Sequence, residues 1–187
     1  MIDAAFFHTE IKNQQLYFLN TNPPSQNIVV IPQAHVNGGE LNVLSRPTAN
    51  LNVNFNLGVA NARIDKFPND PNAIGKRAPL APSYTAFLSA DYTVHLTETT
   101  NLVAYAGFTQ RGPVYWDADN TLKTPSKQLL DLRLTYNFGR YAITAYGKNV
   151  LDEQYPVQVQ INAFAPGVDG RSISQPASYG VELRAQF

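Results

Sequence analysis

The 187-residue chain contains no cysteine, so no disulfide framework holds it together and no thiolate is available to bind a metal. It also lacks net charge. Fourteen Lys and Arg balance fourteen Asp and Glu, which removes the electrostatic case for nucleic acid or an acidic lipid surface. Charge of either sign is scarce, at 15% of residues, against roughly 25% in ordinary soluble domains. No apolar run approaches the ~18 residues that cross a membrane as a helix; the longest are pieces such as AAFF and IVVI. The opening MIDAAFFHTE lacks the basic start, apolar middle and small-residue cleavage site of a signal peptide. Two expectations follow: a cytoplasmic protein, or the mature or truncated end of something longer.

Signatures of chemistry are missing as well. His8, His35 and His95 lie far apart in sequence, with no spacing that suggests a metal centre. There is no Gly-x-Ser-x-Gly and no phosphate-binding loop, and no catalytic residue, cofactor or enzymatic activity is expected. Gly38-Gly39 is not a dinucleotide fingerprint and is expected at a bulge or bend in a strand. Asp117–Asn120 (DADN) superficially resembles a calcium loop but lacks its sixth-position Gly and distal Glu, so a solvated loop is expected.

What the chain does have is alternation. In LNVNFNLGVA, Leu51, Val53, Phe55, Leu57 and Val59 alternate with Asn52, Asn54, Asn56 and Gly58. Successive strand side chains point to opposite faces, so this is a ribbon with one dry and one wet side. The same period places Leu130, Leu132, Leu134, Tyr136 and Phe138 against Asp131, Arg133, Thr135 and Asn137. It places Tyr84, Ala86, Leu88, Ala90, Tyr92, Val94 and Leu96 against Ser89, Asp91, Thr93 and His95, and Tyr179, Val181, Leu183, Ala185 and Phe187 against Gly180, Glu182, Arg184 and Gln186. Both faces are mixed in MIDAAFFHTEIKNQQLYF and RYAITAYGKN, and no faces are assigned there.

Eight strands are predicted, over 2–18, 28–45, 51–65, 83–96, 101–112, 127–138, 141–151 and 176–187. Their connections alternate in length. RPTAN, TETT and Gly139-Arg140 are tight, whereas NTNPPSQN, KFPNDPNAIGKRAPLAP, GPVYWDADNTLKTPS and 152–175 are long. Short turns on one rim and long loops on the other mark a transmembrane β-barrel. The Phe138-Gly139-Arg140-Tyr141 hairpin suits a type II′ turn; its aromatics fit either a headgroup girdle or cross-strand packing. The fold class is therefore all-β: an antiparallel meander of about eight strands forming a partial, or small closed, transmembrane barrel, with outer-membrane lipid against its apolar face.

Three segments resemble TonB-dependent outer-membrane receptors. In YGKNVLDEQYP, Asn149, Leu151, Asp152 and Tyr155 occupy the marked positions of the family's Asn-Leu-x-Asp-x-x-Tyr-type segment. The terminal PASYGVELRAQF is similar to its last strand, and GGELNVLSRPTANLNVNFNLGVANARI to its Gly-x-Glu-Leu-x-x-x-x-Arg-Pro hairpin. The resemblance implies a C-terminal barrel segment of a Gram-negative receptor importing iron chelates or another scarce nutrient. It also implies no plug domain here, so the segment would not transport alone. Its implied partners are the barrel-assembly machinery, the plug and remaining strands, a small nutrient ligand, and TonB only through an N-terminal region outside this sequence. Assembly would read the row Tyr179, Val181, Leu183 and Phe187; at the third position from the end, often aromatic in such strands, stands Ala185.

Among candidate contact residues, Tyr115 and Trp116 lie in one long loop and Tyr155 and Phe164 in another, as ligand anchors or as girdle and loop-packing aromatics. Asp131, Arg133, Glu182 and Arg184 face a plug, pair across strands, or are simply solvated. Two rivals make distinct predictions. A complete eight-stranded barrel of structural or adhesive role would pair Met1–Asn20 with Pro176–Phe187. A soluble β-sandwich would bury the Leu51/Phe55 and Leu130/Leu134 faces under a second sheet.

Overall fold

Period-two alternation reappears in three dimensions as one long curtain of strands. The computed structural model describes residues 1–21, 24–160 and 170–187. Its main strands are β1 (Ile2–Thr21), β2 (Pro24–Thr48), β3 (Leu51–Lys66), β4 (Tyr84–His95), β5 (Thr100–Arg111), β8 (Lys127–Phe138), β9 (Tyr141–Lys148) and β12 (Ser178–Ala185). They form a single eight-stranded antiparallel sheet in that order. Two small hairpins that the alternation did not disclose, β6 (Val114–Tyr115) with β7 (Lys123–Thr124) and β10 (Pro156–Gln160) with β11 (Gly170–Ile173), sit inside long connections.

The register carries each apolar row directly onto the next. Val43 lies opposite Phe55, Phe55 opposite Leu88, Leu88 opposite Phe108 and Phe108 opposite Leu130. Leu134 then meets Ala145, and Ala145 meets Val181. This outward face has no covering layer among the described residues: Leu132 is 42% and Leu183 76% exposed, and Val53 and Phe55 are screened only in part. A β-sandwich would have buried them, so that alternative fails. In β3 the dry run Leu51–Val59 matches the ~9–11 residues a tilted strand needs to cross hydrocarbon. Past Val59 the same row continues as Asn61, Arg63 and Asp65.

The opposite face is wet. Asn42 pairs with Asn56, whose amide donates to Asn54 Oδ1 at 3.1 Å; Asn137 donates to Asn101 Oδ1 at 2.8 Å, and the Thr135 and Thr144 hydroxyls lie 3.0 Å apart. The Asn row of β3 thus lies on this wet face.

Both segments with mixed faces become readable. In β1 the outward row is Ile2, Ala4 and Phe6, then His8, Glu10 and Lys12, opposite Val43, Leu41 and Gly39, then Asn37, His35 and Gln33. The strand leaves the apolar belt at Phe6, so one row changes solvent partway along. In β9, Ala142 and Tyr146 fall on the wet side, while Gly147 lies outward beneath the ring of Tyr179.

Several expectations need correcting. NTNPPSQN is not a free loop at its flanks: β1 and β2 remain paired from Leu19↔Gln26 to Thr21↔Pro24, with Pro24 at the first strand position, where a missing N–H is tolerated. Gly38 and Gly39 form no bulge. Both are paired in register, and a Cβ there would overlap the Phe7 ring at Gly38 and crowd the Phe6 ring at Gly39. The register shifts of β2 against β3 fall instead between Gln33 and Ala34 and between Ser45 and Thr48. The seventh predicted strand stops at Lys148 rather than residue 151, because Asn149 turns left-handed at φ 50°. Finally, β1 and β12 are the two ends of the sheet and do not pair with each other among the described residues. The small closed barrel is therefore not formed, and the sheet is an open wall.

Candidate functional site at the outer rim

The short turns, at Ala49–Asn50, 96–99 and Gly139–Arg140, lie at one end of the wall. There Phe138 packs across to Tyr141 with ring centroids 5.7 Å apart and stacks on Tyr136 at 5.2 Å, all three on the outward row. The girdle and cross-strand readings of this hairpin are the same contact. Gly139 adopts φ 58°, as the first central residue of a type II′ turn requires.

At the opposite end, residues 67–83 and 112–126 fold onto one another. Beyond Tyr84↔Val59, β4 no longer covers β3, which would leave a bare sheet edge. The chain returns to cover it: Ala78 N donates to Ala62 O, Ile64 N to Lys76 O, and Gly75 N to Ile64 O at 2.8–3.1 Å. Beneath this flap Ile31, Ala34, Ala62 and Ile64 of the strands meet Phe67, Ala73, Ala78 and Ala118 in a buried cluster. Burying such side chains contributes roughly 1.5–3 kcal/mol for each large one.

The DADN segment fastens the second loop to the first. Asp117, expected in solvent, is only 8% exposed; its carboxylate accepts from Thr121 N, Thr121 Oγ1 and Leu122 N at 2.5–3.0 Å. The acid is therefore consumed in holding its own turn. Asn120, at φ 59°, reads the backbone of Arg77 as a strand would: it accepts from Arg77 N and donates to Arg77 O, both at 2.9 Å. Lys76 Nζ and Asp119 Oδ1, 2.9 Å apart, add an exposed ion pair of small energetic weight.

The predicted contact aromatics are distributed over this rim. Tyr115 lies in the β6–β7 hairpin beside Lys123, and its carbonyl accepts from Leu80 N at 2.8 Å. Trp116 spends its indole N–H on Thr124 Oγ1 at 2.8 Å. Tyr155 belongs to the next connection, its ring face 3.1 Å from Lys127 Nζ. Phe164 lies outside the described residues.

Of the motif residues Asn149, Leu151, Asp152 and Tyr155, Asn149 and Asp152 form a clasp at the end of β9. Asn149 N donates to Asp131 Oδ1 at 2.8 Å, its side-chain amide donates to Glu153 O at 3.0 Å, and its Oδ1 accepts from Glu153 N at 3.1 Å. Asp152, also left-handed at φ 51°, accepts from Ala177 N at 2.8 Å just before β12. Asn and Asp tolerate this conformation better than other side-chain-bearing residues, and their short polar groups make the bridges. Leu151 is 51% exposed and has no polar part in the clasp. Asp131 was missed as its partner because the contact joins positions 18 apart in sequence.

Of the charges on the wet face, Arg133 stacks its guanidinium 4.7 Å over the Tyr105 ring, while Glu182 and Arg184 face Thr144 and Ala142. Along β12 the outward residues Tyr179, Val181 and Leu183 are 70%, 69% and 76% exposed, and Phe187, two residues past the strand, is fully exposed.

This architecture has known counterparts. Residues 1–150 match the family model described as TonB dependent receptor-like, beta-barrel. The ferric yersiniabactin uptake receptor FyuA from Yersinia pestis superposes with a TM-score of 0.80 at 25% identity, over 100% of this chain and 27% of that one. BauA, the ferric preacinetobactin receptor from Acinetobacter baumannii, gives 0.71 at 18% identity, over 97% of this chain and 27% of its own. The ferric-catecholate import receptor Fiu from K12 E. coli gives 0.71 at 18%, over 100% and 25%. The chain thus spans about a quarter of the length of these receptors. With the dry outer face, wet inner face and sorted loops described above, it belongs to the TonB-dependent receptor-like β-barrel family of the Gram-negative outer membrane.

Proposed function

We propose that this chain supplies part of the wall and the outer loops of a receptor that imports a scarce nutrient, such as an iron chelate, using energy passed on through TonB. The observation that carries this reading is an uncovered apolar belt on one face of eight strands, backed by an amide-lined face. The similarity of the whole chain to part of FyuA, a ferric yersiniabactin uptake receptor, supports it. In this reading the plug and the TonB-contacting segment belong to other parts of the receptor, and the open edges at β1 and β12 take its remaining strands.

The wall is passive: it excludes lipid, keeps a wet interior and displays the loop block. Tyr115, Trp116 and Tyr155 are the proposed ligand contacts at the rim, with Tyr115 and Tyr155 already beside the cations Lys123 and Lys127. The row Tyr179, Val181, Leu183 and Phe187 is the proposed recognition element for barrel assembly, supported by its exposure at the end of the sheet.

Two measurements test this. DNA upstream of Met1 is expected to continue in frame into plug-like sequence; a stop codon followed by a promoter would overturn the segment assignment. Deleting the encoding locus is expected to abolish energised uptake of at least one labelled iron chelate under iron starvation. Unchanged uptake across ferric catecholates, phenolates and citrate would remove iron import from the proposal.

A further inference from the structure

The outward face carries an unexpected pair of imidazoles just above its apolar belt. His8 of β1 and His35 of β2 occupy diagonal positions in the β1–β2 register, His8 one outward position beyond Phe6 and His35 two beyond Gly39. Their rings stack with centroids 6.1 Å apart and planes inclined by 25°. Both are anchored through the same nitrogen: His35 Nδ1 lies 2.7 Å from Asp65 Oδ1, and His8 Nδ1 lies 2.7 Å from Asn37 Oδ1. An ionised carboxylate and an amide oxygen can only accept, so each Nδ1 is the donor, which in the neutral imidazole leaves the Nε2 lone pair free. Neither Nε2 has a hydrogen-bond partner among the described residues.

A neutral imidazole whose other N–H is held by a carboxylate or carbonyl is the arrangement that orients histidine toward a metal. We propose that His8 and His35 bind one divalent transition-metal ion through their Nε2 atoms, with Asp65 and Asn37 as positioning residues. The separation suits this. Two metal–nitrogen bonds of ~2.0–2.1 Å from one ion place the ring centroids roughly 5–6 Å apart, close to the 6.1 Å between these rings. No group of three or more His, Asp or Glu able to hold a metal occurs among the described residues. The remaining coordination positions therefore belong to water or to a donor on a bound molecule.

Two imidazoles select Zn²⁺, Ni²⁺ or Cu²⁺ over Ca²⁺ or Mg²⁺, which take oxygen. Asp65 is in contact, and Glu10 lies opposite His35 on the same face. Two cations oppose them: Lys12, opposite Gln33 on the same row, and Arg63, which is drawn aside by Asn61 Oδ1 and Gly75 O, each at 2.9 Å. The site looks away from the wet interior, so this ion would sit on the outer wall rather than on the route of an imported molecule.

Calorimetric titration of the untagged protein in detergent with Ni²⁺ tests this. One equivalent is expected to bind. His8→Ala and His35→Ala should each lower affinity at least tenfold, and Asp65→Ala about tenfold through loss of its hold on His35. His95→Ala should leave affinity unchanged. A measurement on the unaltered protein covers variants that misfold: saturating Ni²⁺ is expected to shield His8 and His35, but not His95, from diethyl pyrocarbonate. Absence of saturable binding, unchanged affinity in both His8→Ala and His35→Ala, or equal modification of all three histidines with and without the ion would overturn the assignment.

Discussion

The barrel wall and the loop block at its rim are made from one chain by opposite rules. Along the wall from β3 to β12 the large apolar side chains point away from the protein, and Leu88, Leu134, Ile143 and Val181 are all well exposed. At the rim, Ile64 and Ile31 are sealed to 1% and 0% beneath a flap of returning loop. Hydrocarbon surrounds the first region, so its backbone hydrogen bonds must close within the sheet and no interior is needed. Water surrounds the second, so it must assemble a core of the soluble kind. A single residue type therefore stabilises by being outside in one place and inside in the other.

Substitutions can break this contrast. Ile64→Ala is expected to have the largest effect, about 2–5 kcal/mol from lost burial and the cavity left behind. It should act locally: limited proteolysis should cut within 67–83 while the wall keeps its resistance to detergent and heat. Phe55→Arg, in the middle of the dry run, should cost roughly 2–4 kcal/mol of folding free energy in lipid vesicles by denaturant titration. Asn61→Arg, one outward position beyond Val59, should cost about 0–1 kcal/mol in the same assay. Equal costs at 55 and 61 would mean that the belt boundary is misplaced.

A fourth substitution sharpens the comparison at the rim. Asp117→Ala strands the donors Thr121 N, Thr121 Oγ1 and Leu122 N, a loss of about 1–3 kcal/mol. Hydrogen exchange should accelerate at 117–122 and leave β8 amides protected. A modest effect, about 0.5–1.5 kcal/mol, is expected for Asn149→Gly, which keeps the left-handed backbone and removes only the amide bridges. Asn149→Ala adds the conformational penalty and should be more damaging by about 1–2 kcal/mol.

The sequence was legible wherever each face of a strand met one solvent along its whole length. Leu130 to Phe138 and Leu51 to Val59 qualify, and their rows appear as read. β1 does not: its outward row runs from Phe6 in the belt to His8 and Glu10 above it, so alternation alone shows two mixed faces. The rim escaped for a different reason. Asn120 meets Arg77, and Lys76 meets Asp119, 43 positions away, and no local pattern records such a meeting. Asp117 misled because a short acidic run normally favours solvent, whereas its own loop folds around the carboxylate. The Asn149–Asp152 motif was visible as a pattern of letters, but its role became clear only from two left-handed dihedral angles.

The Asp152 tie to Ala177 sits one residue before β12 begins. In a ribbon of period two, a slip of a single residue would exchange Tyr179, Val181 and Leu183 for Gly180, Glu182 and Arg184. Because the clasp grips at the entrance to that ribbon, the face that each later residue turns to oil is set from its first pair onward.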